Sequence, residues 1–283
     1  MPVLPAIQVQ QLSVQRGGAD LLNQVTYQFE AGKIHCILGQ NGAGKSTLLN
    51  CLSHEIQPSQ GHVIWHDKPL DSFSYAELAT QRAVLSQSNE LAFSFTVEAL
   101  VSLGEEVQSR PQTVSEQVIQ TVLDVCEMTH LKDRDYLTLS GGEQKRAQLA
   151  RVLAQIWPTK ACAETQEEGG ALFSTPLRGG DFLGKWLLLD EWTAGLDIKH
   201  QQSLARYFKQ WAKQGLGIIM VLHDISFAAQ LADHVLILKS GKVFAEGDIP
   251  SVFTEEILSQ SLEMKVRVEQ DVLTGRPAIY PII

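Results

Sequence analysis

The residues most clearly equipped for chemistry are Gly39-Gln40-Asn41-Gly42-Ala43-Gly44-Lys45-Ser46, which match G-x-x-x-x-G-K-[ST] without a mismatch. Glycines at this spacing let the backbone wrap an anion, and successive N–H groups leading into a helix N-terminus hold phosphate. Lys45 is placed to reach the β- and γ-phosphates of a nucleotide, and the Ser46 hydroxyl to ligate Mg²⁺. A second pair, Asp190-Glu191, ends the apolar run Trp186-Leu-Leu-Leu. In open parallel sheets ligands lie beyond the carboxyl ends of the strands. Asp190 can therefore hold Mg²⁺, directly or through water, and Glu191 can polarise a water near the γ-phosphate. A third stretch, Leu139-Ser140-Gly141-Gly142-Glu143-Gln144, opens a helix in which Ser140 is the cap and two glycines leave N–H groups open to an anion.

These groups need a scaffold, and the hydrophobic pattern supplies one. Ile7 to Val14 alternates apolar and polar residues, a half-buried strand, and Gly17-Gly18 turns it into a second one carrying Leu22, Val25, Tyr27 and Phe29. Ile34-His-Cys-Ile-Leu38, Arg82 to Ser86, Trp186 to Leu189, Ile218 to Leu222 and Val235 to Leu238 are short apolar runs, as expected of strands buried on both faces. Helices are expected at Ser46 to Leu52, from an N-cap at Ser115 through Val118, Val122 and Val125, from Ser140 to about Ile156, and over 198–213. Strands alternating with helices predict an α/β fold on a parallel sheet, with an N-terminal antiparallel β part and a helical insertion. Residues 158–184 lose periodicity and carry five glycines. Residues 262–283 read as a terminal hairpin around Thr274-Gly275.

Composition narrows the function. Twenty-three Lys and Arg against thirty-two Asp and Glu give a net charge of −9, which argues against a nucleic-acid partner. The charge does not exclude nucleotides, because backbone N–H groups can meet a phosphate within an acidic protein. No apolar run approaches the roughly 20 residues of a membrane span, and the start Met1-Pro-Val-Leu-Pro-Ala has no basic segment of a signal peptide. Cys36, Cys51, Cys126 and Cys162 form no C-x-x-C pair and no zinc spacing with histidine, so reduced thiols are expected.

Taken together, the phosphate loop, the Leu139 to Gln144 stretch and the Asp190-Glu191 strand end resemble the ATP-binding subunit of ABC transporters, over about residues 6–260 and in the family's motif order. The resemblance implies a P-loop NTPase fold in one cassette: a core of 1–87 and 158–260, a helical subdomain at 88–157 and a C-terminal extension at 261–283. It implies ATP and Mg²⁺ as cofactors, with Ser46, Gln87 and Asp190 near the metal and Gly39 to Thr47 on the phosphates. Glu191 resembles the general base, His223 in Val-Leu-His-Asp224 the histidine that contacts the γ-phosphate, and Ala194-Gly-Leu-Asp197 the family's D-loop. Ser140, Gly141 and Gly142 resemble the residues that close on the ATP of a second cassette. With one phosphate loop and one such stretch, the chain is expected to be a homodimer. Two membrane permease subunits and, indirectly, a periplasmic binding protein are the other implied partners. The expected location is peripheral, on the cytoplasmic face of the inner membrane.

Two positions depart from the family pattern. Trp192 stands where proline follows the glutamate, which places a large ring beside the site; on that reading Trp192→Pro is expected to raise or preserve turnover. No aromatic stands near residue 16 to stack on adenine, and Arg16 is the substitute available. Within the family, Arg82 to Ser88, Phe93 to Glu98, Leu139 to Gln155, Leu222-His-Asp and the 171–184 insertion resemble the ATPases of haem importers. Siderophore or vitamin B12 uptake is the alternative cargo, and a non-transporting single-cassette ATPase the alternative class.

Overall fold

The computed structural model describes residues 6–87, 93–158 and 181–282. Its centre is a six-stranded sheet in the order β10-β9-β3-β8-β7-β6, built from β3 (Ile34–Leu38), β6 (Arg82–Leu85), β7 (Trp186–Asp190), β8 (Gly217–Val221), β9 (His234–Lys239) and β10 (Lys242–Asp248). All neighbours pair in parallel except β9 and β10, which form a hairpin edge. Residues of β3, β7 and β8 are buried throughout, as continuous apolar runs in a covered parallel sheet require.

The period of two divides each strand between two cores. Leu187 and Leu189 of β7, with Cys36 and Leu38 of β3, face the helical side. Trp186, Leu188 and Ile37 face a second core shared with α1 (Lys45–Leu52) and an antiparallel sheet in the order β2-β1-β4-β5. That second sheet comprises β1 (Ala6–Arg16), β2 (Ala19–Glu30), β4 (Gln60–Trp65) and β5 (Lys68–Pro69). The expected N-terminal β part and parallel core are therefore both present. The helical side carries α2 (Tyr75–Gln81), α3 (Val97–Glu105), α4 (Gln112–Val125) and α5 (Gly141–Ile156). The carboxyl half adds α6 (Ile198–Lys213), α7 (Ile225–Leu231), α8 (Ile249–Val252), α9 (Glu255–Leu262) and the hairpin of β11 (Val266–Gln270) and β12 (Pro277–Pro281).

Several expectations change in detail. Helix α4 starts at Gln112 with Pro111 before it, not at Ser115. The Ser115 hydroxyl lies inside the helix and donates to Glu105 Oε1 at 2.9 Å, which removes it from capping. The segment 159–180, with Cys162, and Ser88 lie outside the described residues. Cys36, Cys51 and Cys126 are buried free thiols, and burial pushes the Cys51 thiol up to about 12. Among the described residues no helix is long and apolar enough to cross a membrane.

Candidate nucleotide site

Two glycines of the 39–46 loop have no substitute. Gly39 has φ +143, and a Cβ there would stand 2.3 Å from the Leu238 carbonyl oxygen. Gly44 has φ +101, and a Cβ would stand 2.6 Å from the Leu21 carbonyl oxygen. The loop is thus pressed between the end of β9 and the start of β2, and only backbone fits. Lys45 is almost fully buried and folds over the loop, its Nζ donating to the carbonyls of Gly39 and Gln40 at 2.9 Å each.

The helix that follows differs from its neighbours at its start. α2, α3 and α5 to α9 each have a side chain accepting a first-turn N–H, from Ser74, Thr96, Ser140, Asp197, Asp224, Asp248 and Thr254. Gly44 gives α1 no such cap, and no acidic residue lies in its first turn. Its free N–H groups and dipole are open to an anion seated in the loop.

Beyond the carboxyl ends of the strands, Asp190, Glu191, Gln87 and His223 come together next to Lys45 and Ser46. Asp190, the last residue of β7, is 3% exposed. The Ser46 hydroxyl lies near it, and its Oδ1 has no hydrogen-bond partner among the described residues. Burial raises its pKa above the carboxylate norm, and Ser46, Lys145 and Lys45 oppose that rise. Burial lowers Lys45 from its ordinary value, with Glu191 and Asp190 opposing. Glu191 has φ +48, a left-handed conformation uncommon outside glycine. Its N–H donates to Val221 of β8 at 3.2 Å, and its carbonyl closes a turn by accepting from Ala194 at 3.1 Å. The carboxylate is held at both oxygens: Gln87 Nε2 donates to Oε2 at 3.1 Å, and His223 Nε2 lies 2.5 Å from Oε1. Strands β6, β7 and β8 carry these three residues at their carboxyl ends, as the parallel register of the sheet requires.

An orphan carboxylate oxygen beside a serine hydroxyl fits a hard cation of oxygen preference. Mg²⁺ is commonly held by one or two protein oxygens together with nucleotide phosphates and water. Among the described residues no group of three His, Cys, Asp or Glu forms a protein-only metal cage. Gln87 spends its amide N–H on Glu191, so its carbonyl oxygen is the atom available to a cation.

Ser140, Gly141 and Gly142 stand apart from this cluster. No hydrogen bond joins them to the phosphate loop among the described residues. Ser140 forms a full capping box with Glu143: Ser140 N–H and Oγ–H both reach Glu143 Oε2 at 2.8 Å. Gly142 instead touches the 193–197 turn, where a Cβ would lie 2.6 Å from the Gly195 carbonyl oxygen.

Trp192 corrects an expectation. Its ring is fully buried rather than standing in the site, 5.0 Å from Phe208 and 5.8 Å from Phe227 between ring centres. Its backbone occupies the second position of the 191–194 turn, which suits proline, so the side chain rather than the backbone is what the fold uses. Arg16 is exposed at the end of β1, opposite Ala19 in the strand register. Lys145, on α5, lies within electrostatic reach of Asp190 and Glu191, a placement the motifs do not signal. Burial lowers its pKa, and the charges of Asp190 and Glu191 oppose that shift. A lysine two residues past the Glu143 capping partner gives no local signal of this proximity.

A loop, an uncapped helix and a bridged acid at the carboxyl end of a parallel sheet form a candidate site for a nucleoside triphosphate. The ABC transporter family model matches residues 22–157. A hemin import ATP-binding protein, HmuV, of Hydrogenovibrio crunogenus is 38% identical over 260 residues, 92% of this chain and 93% of that one. The protein of the same description from Pseudomonas fluorescens is 36% identical, over 96% and 98% of the two chains. An inward-facing putative metal-chelate type ABC transporter superposes with a TM-score of 0.74 at 23% identity, over 99% and 98% of the chains, a likeness of fold. The chain belongs to the ABC transporter family, as an ATP-binding and ATP-hydrolysing component.

Proposed function

We propose that this protein is the ATPase subunit that energises hemin import across the cytoplasmic membrane, acting as a homodimer docked on two permease subunits at the cytoplasmic face. The observation that supports the cargo is near end-to-end similarity, at 34–38% identity, to proteins described as hemin import ATP-binding subunits. In the proposed cycle the N–H groups of Gly39 to Ser46, with Thr47, bind the phosphates, and Lys45 leaves its two loop carbonyls for the β- and γ-phosphates. Ser46, Asp190 and the Gln87 carbonyl would hold Mg²⁺, which would supply charge neutralisation to the phosphates. Glu191 takes a proton from water as the water oxygen bonds to the γ-phosphorus and the bond to the β-bridging oxygen breaks. His223 and Gln87 hold that carboxylate in place. Ser140, Gly141 and Gly142 of the second copy close on the same nucleotide, for which the Ser140 hydroxyl must turn away from Glu143.

Cargo is tested by uptake. In cells whose own copy carries Glu191→Gln, hemin uptake is expected to stop while ferric siderophore and cobalamin uptake continue. Loss of either of those with hemin uptake intact reassigns the cargo. No change in any of the three favours an ATPase outside transport.

A further inference from the structure

His200, in the first turn of α6, is engaged at both ring nitrogens. Nδ1 lies 2.7 Å from Asp197 Oδ1, and Nε2 lies 2.7 Å from Arg146 Nη1. A guanidinium can only donate, so Nε2 accepts and the ring proton sits on Nδ1, where it is given to Asp197. The tautomer is thus assigned by the partners. Both partners are fixed. Arg146 is buried in α5 and also donates to the carbonyls of Cys126 and Glu127, at 3.4 and 3.3 Å. Asp197 caps α6 by accepting the His200 N–H at 2.9 Å. Gln201 reinforces the same turn, donating to the Thr193 and Leu196 carbonyls at 3.2 and 2.8 Å. The other charged groups around the ring are Glu127, whose Oε2 is 3.4 Å from Nε2, and Lys199, 3.5 Å from that same oxygen.

The turn held in this way overlaps the one that begins at Glu191, the two sharing Thr193 and Ala194. Its far end meets α5 twice: through the His200 relay, and where Gly142 lies too close to the Gly195 carbonyl to admit a Cβ of its own. We propose that His200 is a positioning residue for ATP hydrolysis, joining the 193–197 turn to α5 so that a displacement at Ser140–Gly142 is passed to Glu191 of the same chain. A ligand engaging the start of α5 is then felt at the base through one imidazole and two flanking charges. The inference rests on reading Glu191 as the base.

The test uses the full-length chain. His200→Ala is expected to lower kcat for ATP about tenfold or more, since small misplacements of a catalytic group carry losses of that order. KM for ATP should stay within about twofold, because no group that meets the nucleotide is removed. His200→Asn keeps a donor near the Nδ1 position, and His200→Gln an acceptor near the Nε2 position. Neither spans both partners, so both are expected well below the parental kcat. Parental kcat in any of the three overturns the proposal. So does a fall in melting temperature with unchanged kcat per folded molecule, the signature of a merely structural contact. Glu191→Gln is assayed in parallel. If it retains the parental rate, the base assignment fails, whereas the relay fails only on the His200 results.

Discussion

His223 Nε2 lies 2.5 Å from Glu191 Oε1, and the other oxygen of that carboxylate is taken by Gln87 at 3.1 Å. The two supports come from the carboxyl ends of different strands, so the acid's direction is set by the sheet rather than by its own flexible stem. Removing either support should leave ATP binding and damage turnover. His223→Ala is expected to lower kcat by about 10- to 100-fold with ATP affinity nearly unchanged in equilibrium binding, and Gln87→Ala to lower kcat by less, with any loss of affinity confined to the Mg²⁺ complex of ATP.

Trp192 is a structural residue in a catalytic neighbourhood. Deleting so large a buried ring usually costs about 3–5 kcal/mol. Trp192→Ala should therefore unfold at markedly lower urea concentration. Trp192→Pro should be destabilised comparably, even though the turn suits proline, because the pocket against Phe208 and Phe227 is emptied. A Trp192→Pro protein as stable as the parent in urea would show that the ring contributes little.

Asp190 is held for the site at the expense of the fold. Its pKa is raised by burial, so the folded protein binds a proton there more readily than the unfolded chain. Stability attributable to this group is complete below the ordinary value of 3.8 and falls as pH rises through the raised one. Asp190→Asn should accordingly raise nucleotide-free stability at pH 7, measured by urea unfolding, and the gain should vanish in acid. The same substitution should abolish Mg²⁺-dependent ATP hydrolysis.

His35 gives the opposite sign. Burial lowers its pKa to about 3, and Nε2 accepts the Glu30 N–H at 2.9 Å, which requires the neutral ring. The unfolded chain binds a proton near the ordinary value of 6.5 while the folded one does not. Stability should fall as pH drops from about 6.5 toward 3. His35→Gln should flatten that slope in unfolding measured across the window; an unchanged slope would assign it to other groups.

What could be read in the sequence was local. The phosphate loop is contiguous, Ser140 and Glu143 form their box within one turn, and the buried strands are unbroken apolar runs. Helix α2 was hidden because Leu78 is its only buried residue, and its box of Ser74 and Glu77 sits in an otherwise polar stretch. Strand β4 was hidden because its first three residues, Gln60, Gly61 and His62, are exposed. The family resemblance brought Gln87, Asp190, Glu191 and His223 to one site, but the direct contacts across the chain were out of reach: Gln87 and Glu191 are 104 residues apart, and Arg146 and His200 are 54. The side on which Trp192 lies was equally closed, since a turn residue beside a catalytic acid can face either solvent or core, and here Phe208 and Phe227 decide it.

In the proposed cycle Glu191 hydrolyses ATP in a site that two copies complete. The most direct measurement is the mass in solution of purified Glu191→Gln with ATP and Mg²⁺, alongside its turnover. A shift is expected from the 31.3 kDa chain to twice that mass, stable while ATP is present, with hydrolysis reduced at least about 100-fold. A monomer that still turns over ATP at the parental rate would contradict it.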